Sequence, residues 1–287
     1  MKALIIGGLG QLGKTLTQTV PDAIECRPLD LPEFDVTNFD AVDAVVNAER
    51  PDVIINASAY TAVDQAEANV ELAFGVNATG PKHLAVAAEQ SRARLIHIST
   101  DYVFDGTACT PYSPQAPCRP LGVYGQSKRK GELNILGVVD NSVIIRTSWL
   151  YSPYGNNFVL TMLRLMGARD ELKVVADQVG SPTWATTLAR AIWTVAGNEK
   201  LTGIYHWSDA GVASWYDFAV AIQEEAFGLG MLTQSIPIHP ITTDHFPTPA
   251  KRPSYSVLDC TRTWLDFKAE PLHWRSALRQ MLAAMQS

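Results

Sequence analysis

The stretch KALII, from Lys2 to Ile6, runs straight into GGLGQLG, from Gly7 to Gly13, and then into the helix-like KTLTQTV. A short apolar strand, a glycine turn and a helix start in that order leave few folds open. Glycines permit a tight turn and let the backbone approach a diphosphate, which then rests on the free N–H groups of the helix start. The unit is therefore expected to bind a dinucleotide. Its register stays open: Gly8, Gly10 and Gly13 fit GxGxxG, while Gly7, Gly10 and Gly13 fit GxxGxxG. Both share Gly10 and Gly13, with Gln11 and Leu12 between them.

Asp30 closes PLD after a second expected strand. A carboxylate there accepts hydrogen bonds from the adenine ribose hydroxyls and disfavours a 2′-phosphate. Arg27, three residues upstream, is the competing feature, since it could receive such a phosphate. The balance points to NADH with NADPH tolerated. Further on, Asp35 and Val36 in FDVTN are placed to approach the adenine.

Apolar runs alternate with helical patterns through the first half: VIINAS (Val53 to Ser58), the long amphipathic NVELAFGVNATGPKHLAVAAEQ, RLIHIST (Arg94 to Thr100) and SVIIRTS (Ser142 to Ser148). This is the rhythm of a doubly wound, parallel, Rossmann-type α/β sheet. After Trp149 it changes to Gly/Pro-punctuated loops such as SPYGNNFV and DQVGSPT. Residues 1–150 are expected to form the dinucleotide-binding domain, joined by returning elements around 184–208 such as TGIYHWS. Residues 151–287 are expected to form mainly a smaller, interleaved substrate lobe.

A chain of 287 residues is long enough for both. Its net charge of −6 gives no basic field for nucleic acid. No apolar run approaches the roughly 20 residues of a membrane span. Cys26, Cys109, Cys118 and Cys260 lie far apart without zinc-ligand spacing, so free thiols, no metal site and a cytoplasmic location are expected.

Tyr124 and Lys128, in GVYGQSKRKGE, are four residues apart, which on a helix stacks them on one face. A cation beside a phenol lowers its pKa from about 10, so the pair is expected to trade a proton with a ketone or alcohol. With the glycine turn and Ser99-Thr100-Asp101 preceding them, they make the chain resemble the extended short-chain dehydrogenases/reductases. ISTDYVFDG, NASAYTAVDQAE, RTSWLY, GNNFV, DQVGSPT, GIYHWSDAGVASWYDFA and RPSYSVLD narrow this further. Together they resemble the dTDP-4-dehydrorhamnose reductase family over nearly the whole chain.

The resemblance implies reduction of a nucleotide sugar, dTDP-4-dehydro-β-L-rhamnose, at its 4-keto group by NADH or NADPH. In that reading Tyr124 is the general acid, Lys128 tunes it and bonds the nicotinamide ribose, and Thr100 orients the carbonyl oxygen. Asp101, Tyr102 and Trp149 are expected against the sugar, and Arg252 against the diphosphate. Ala59, Tyr60 and Thr61 match the cofactor-lining segment. Some members form magnesium-bridged dimers through carboxylates near the glycine turn, but no acidic residue occurs here between Met1 and Val20. A monomer or a different homodimer is expected. Alternatives are a different 4-keto-6-deoxyhexose reductase, a nucleotide-sugar epimerase, or a non-catalytic module resembling the regulatory subunit of methionine adenosyltransferase. A dehydratase is disfavoured because it needs a carboxylate where Tyr102 follows Asp101.

Overall fold

The computed structural model describes residues 1–286. Its first strand β1 (Lys2–Ile6) leads through the glycine turn into α1 (Gln11–Gln18), then β2 (Glu25–Leu29), α2 (Phe39–Glu49) and β3 (Val53–Asn56). Two short helices follow, α3 (Val63–Ala66) and α4 (Val70–Phe74). The expected long helix is not uniform. Between α4 and α5 (Gly80–Ser91) the backbone widens into a π-turn over Gly75–Thr79. Pro81 explains the position, because it has no N–H and its ring crowds the carbonyl four residues back, that of Asn77.

Strand β4 (Arg94–Thr100), α6 (Val123–Leu136) and β5 (Val143–Thr147) complete the first half. The second half holds β6 (Leu150–Tyr151), α7 (Phe158–Met166), β7 (Leu172–Val175), β8 (Val179–Gly180) and β9 (Thr183–Trp184). After them come α8 (Ala185–Ala196), β10 (Gly203–Trp207), β11 (Ala213–Ser214), α9 (Trp215–Gly228) and β12 (Ile238–Ile241). The chain ends with α10 (Thr261–Asp266) and α11 (Trp274–Ala284).

Six parallel strands form the central sheet in the order β10-β5-β4-β3-β1-β2. Every residue of β3, β4 and β5 is buried, as both faces of a helix-covered parallel sheet require. The strand order reverses at β1, which has β2 on one side and β3 on the other. That is where open α/β sheets leave a crevice beyond the strand carboxyl ends.

Helix α8 and strand β10 return to this sheet, with Leu188, Ile192 and Tyr205 packed into the core that also holds Ile5, Ile55 and Ile145. A separate apolar cluster joins Tyr151, Val159, Met162, Phe218, Trp274 and Leu278. It underlies the remainder of the second half. Trp149 and Leu150 lie partly buried at the edges of the two clusters, so the crevice is walled on one side by the sheet and on the other by this smaller unit.

Candidate active site

The crevice is a cleft of about 830 Å³ running from the glycine turn to Tyr124 and Lys128. At its first end, Gly7 takes φ +84°, a conformation that favours glycine, and a Cβ there would lie 2.7 Å from the Ser58 nitrogen. A Cβ on Gly13 would lie 2.1 Å from the Gly7 oxygen, so Gly13 lets α1 press onto the turn. The register is thereby decided in favour of Gly7, Gly10 and Gly13. Gly8 packs against Pro28 of β2 instead. Gly7, Gly10, Gln11 and Leu12 line the cleft, whereas Gly13 lies behind it. Gly10 caps α1 without any side-chain hydrogen bond, leaving the first helical amides for an anion.

Asp30 also lines the cleft. Its carboxylate accepts from the Leu9 and Leu31 amides, at 2.8 Å each, so it braces the turn as well as facing the adenosine end. Asp35 and Val36 line the same end. Arg27 does not reach it, being paired with Glu49 of α2. Ala59, Tyr60 and Thr61 form the opposite wall. They are held by Asn77 of the π-turn, which accepts from the Tyr60 amide at 2.8 Å and donates to the Tyr60 carbonyl at 3.1 Å and to Ser127 at 3.0 Å. These residues fit a dinucleotide: free helix amides for its diphosphate, and a carboxylate for a ribose.

At the other end, two glycines set the approach of α6. A Cβ on Gly125 would lie 2.2 Å from the Tyr102 carbonyl oxygen, and one on Gly131 would lie 2.2 Å from that of Asn77. Only glycine lets the helix come this close. The approach brings Tyr124 into the cleft with Thr100 at the end of β4, and its ring edge-on to Tyr102 with centroids 5.6 Å apart. Thr100 in turn accepts from the Tyr102 amide at 3.2 Å and donates to Asp101 at 3.1 Å.

Burial governs the acid–base character of these groups. It pushes the Tyr124 phenol up to about 12 against the opposing bond from Thr100. It raises Asp101 to about 6 and also raises Tyr102, and it lowers Lys128 to about 8, with Glu132 pulling the other way. The expectation that Lys128 makes the phenol more acidic is therefore corrected. The Lys128 nitrogen is buried and donates to the Ile98 carbonyl at 2.6 Å, and desolvation of the phenol prevails. The consequence suits a proton donor, since a phenol with this value holds its proton at neutral pH.

Trp149, with φ +46°, lines the cleft between the two lobes. Its backbone is pinned by the Thr183 amide, which donates to its carbonyl at 3.2 Å. Trp215, the first residue of α9, stacks on it and also lines the cleft. Sequence reasoning did not single out Trp215, because its partner is brought to it only by the packing of the second half. Arg252 does not line the cleft. Its guanidinium is forked onto Asp64 of α3, at 3.0 and 2.7 Å, with Tyr102 beside it. The assignment of Arg252 to a substrate diphosphate is not supported by this arrangement, in which the fork is already occupied. All four cysteines are free thiols. Among the described residues no group of three or more His, Cys, Asp or Glu side chains could hold a metal ion, and no helix is long and apolar enough to cross a membrane.

Comparison with known proteins bears on this geometry directly. The model of the RmlD substrate binding domain matches residues 1–287. The dTDP-4-dehydrorhamnose reductase of Aggregatibacter actinomycetemcomitans is 44% identical, with 98% of each chain covered. The chain belongs to the dTDP-4-dehydrorhamnose reductase family. Another member, from Sinorhizobium fredii, is 38% identical over 99% of this chain and 98% of its own. A crystal structure of the dTDP-4-dehydrorhamnose reductase of Bacillus anthracis in complex with NADP superposes with a TM-score of 0.94, at 38% identity and 99% coverage of both chains. The family resemblance thus spans both lobes and the cleft between them.

Proposed function

We propose that the chain reduces the 4-keto group of dTDP-4-dehydro-β-L-rhamnose with NAD(P)H to give dTDP-β-L-rhamnose. The observation that carries this is the convergence of Thr100, Tyr124 and Lys128 at the end of a cleft that begins at an uncapped glycine turn. A reduced nicotinamide cofactor, once bound in the cleft, would supply the hydride for the sugar carbon. Tyr124, protonated at neutral pH, gives its proton to the oxygen that becomes the alcohol, and Thr100 orients that oxygen. Such proton assistance is typically worth about 10²- to 10⁴-fold. Lys128 would hold the nicotinamide ribose, and Asp101, Tyr102 and Trp149, which line the same cleft, would face the sugar. In this reading the enzyme works in the cytoplasm, where nucleotide sugars and reduced nicotinamide cofactors are available, as a monomer or homodimer.

The test is an assay of NADH and NADPH oxidation with dTDP-4-keto-6-deoxyglucose plus a 3,5-epimerase, with the product sugar identified by NMR. Stoichiometric cofactor consumption and a dTDP-rhamnose product are expected. Interconversion of nucleotide sugars without net cofactor loss would instead indicate an epimerase, and cofactor binding with no oxidation would indicate a non-catalytic module.

A further inference from the structure

Behind Lys128 lies a buried polar chain that the reaction as described does not use. His97 of β4 and Asn56 of β3 are fully buried neighbours on adjacent strands. Asn56 Oδ1 accepts from the Ser58 amide at 3.1 Å and the Ser58 hydroxyl at 2.7 Å. A backbone N–H can only donate, so this oxygen is fixed in place and the Asn56 amide nitrogen must be the atom facing His97 Nδ1, at 3.0 Å. His97 Nδ1 is then the acceptor. The neutral ring carries its proton on Nε2, which lies 3.5 Å from the Lys128 nitrogen. An N–H facing an ammonium is unfavourable, whereas an N–H facing an amine lone pair is a hydrogen bond.

We propose that His97 is a positioning residue for Lys128: its Nε2–H, oriented by Asn56 and Ser58, steadies the neutral amine left each time Lys128 yields a proton. This rests on the reductase reading given above. In each cycle Tyr124 gives its proton to the substrate oxygen and becomes phenolate. Lys128 then returns a proton to the phenolate and becomes the amine, donating to the Ile98 carbonyl while accepting from His97. A proton from water restores the ammonium, so protons balance with one consumed per ketone reduced.

The surrounding charges are consistent with this. Glu132, one turn further along α6, favours the ammonium, but its carboxylate is shared among Arg146, Arg129 and Ser99. Tyr124 lies one turn earlier on the same helix, and Asp101 follows the end of β4. Burial and the Lys128 charge both keep His97 neutral.

The decisive variant is Asn56→Asp, which is isosteric and still accepts from Ser58 but demands a proton on His97 Nδ1. The ring must then turn a bare Nε2 toward Lys128 and accept from the ammonium. The double variant Asn56→Asp/His97→Gln carries the same added charge with no tautomer to invert. Lys128 is titrated by NMR in protein labelled at the lysine ε-carbons, its signal assigned by loss in Lys128→Arg, and the alkaline limb of kcat is recorded in parallel. Expected is an upward shift of the Lys128 titration in Asn56→Asp that exceeds the double variant's by about one pH unit or more, with a matching move of the kcat limb. Equal shifts in the two variants would overturn the proposal, because charge alone would explain them. His97→Gln alone, which keeps a donor near the Nε2 position, should titrate close to wild type, and a shift as large as that of His97→Leu would also overturn it. The titration needs no turnover, so failure of the reductase assay leaves this test intact.

Discussion

The indole of Trp149 lies flat on that of Trp215, with ring centroids 3.5 Å apart and planes within 7°. The two residues are distant in the chain, one just after β5 and the other opening α9. A Cβ on Gly180 would lie 2.6 Å from the Trp149 indole, so that ring is held by neighbours on more than one side. A stacked aromatic pair is worth about 0.5–1.5 kcal/mol beyond its buried area. Trp215→Ala should therefore loosen the sugar end of the cleft, raising KM for the nucleotide sugar by about tenfold while leaving NADH affinity unchanged. Fluorescence titration with NADH and steady-state kinetics separate the two, and an unchanged KM would exclude Trp215 from substrate binding.

Asp30 and Arg27 make opposite demands on the cofactor. With Arg27 tied to Glu49 and no arginine among the described residues lining the cleft, whose one lining cation, Lys128, sits at the opposite end, no cation beside Asp30 offsets its charge. NADH should be at least as good as NADPH by kcat/KM. Asp30→Asn should shift the ratio toward NADPH, and Arg27→Ala should not move it. A strong NADPH preference that survives Asp30→Asn would show that another group governs the choice.

The glycine turn separates folding from binding. Gly13→Ala forces a Cβ to within 2.1 Å of a backbone oxygen, whereas Gly10→Ala meets only the Gly7 oxygen at 3.3 Å. Gly13→Ala should cost about 1–3 kcal/mol of stability or more. Gly10→Ala should fold with little loss but bind NADH weakly, because its methyl intrudes on the diphosphate space. Urea denaturation and NADH titration of both variants test this, and equal stabilities would remove the packing role of Gly13.

Much of this was legible in the sequence. The strand, turn and helix at the amino terminus and the spacing of Tyr124 and Lys128 are local signals, and β4 ends at Thr100 as its apolar run implies. What was not legible depends on depth and on distant neighbours. Spacing puts Lys128 on the Tyr124 face of a helix, but only the packing of α6 on β4 aims its nitrogen at Ile98 and buries the phenol. Arg252 reads as a phosphate ligand until Asp64 is seen opposite it. The π-turn that places Asn77 reflects Pro81 acting inside a helix that its neighbours keep folded.

Stability should carry a pH signature from Asp209. This carboxyl is buried between the Trp184 amide, which donates to it at 2.9 Å, and the Thr187 hydroxyl, and burial raises it from 3.8 to about 7. The folded state then binds the proton more tightly than the unfolded chain. The contribution is complete below the unfolded value and is lost as pH rises through about 7. The Tm of the wild type relative to Asp209→Asn should therefore fall between pH 5 and pH 8. A constant difference across that range would show that Asp209 does not titrate in the folded protein.

The most direct measurement is the effect of Tyr124→Phe on single-turnover reduction of the dTDP-4-keto sugar by bound NADH. Only the proton-bearing hydroxyl is removed, so the rate should fall by about 10²-fold or more while NADH affinity stays within about threefold of wild type. A variant that keeps more than about a tenth of the wild-type rate would contradict Tyr124 as the acid that completes the reduction.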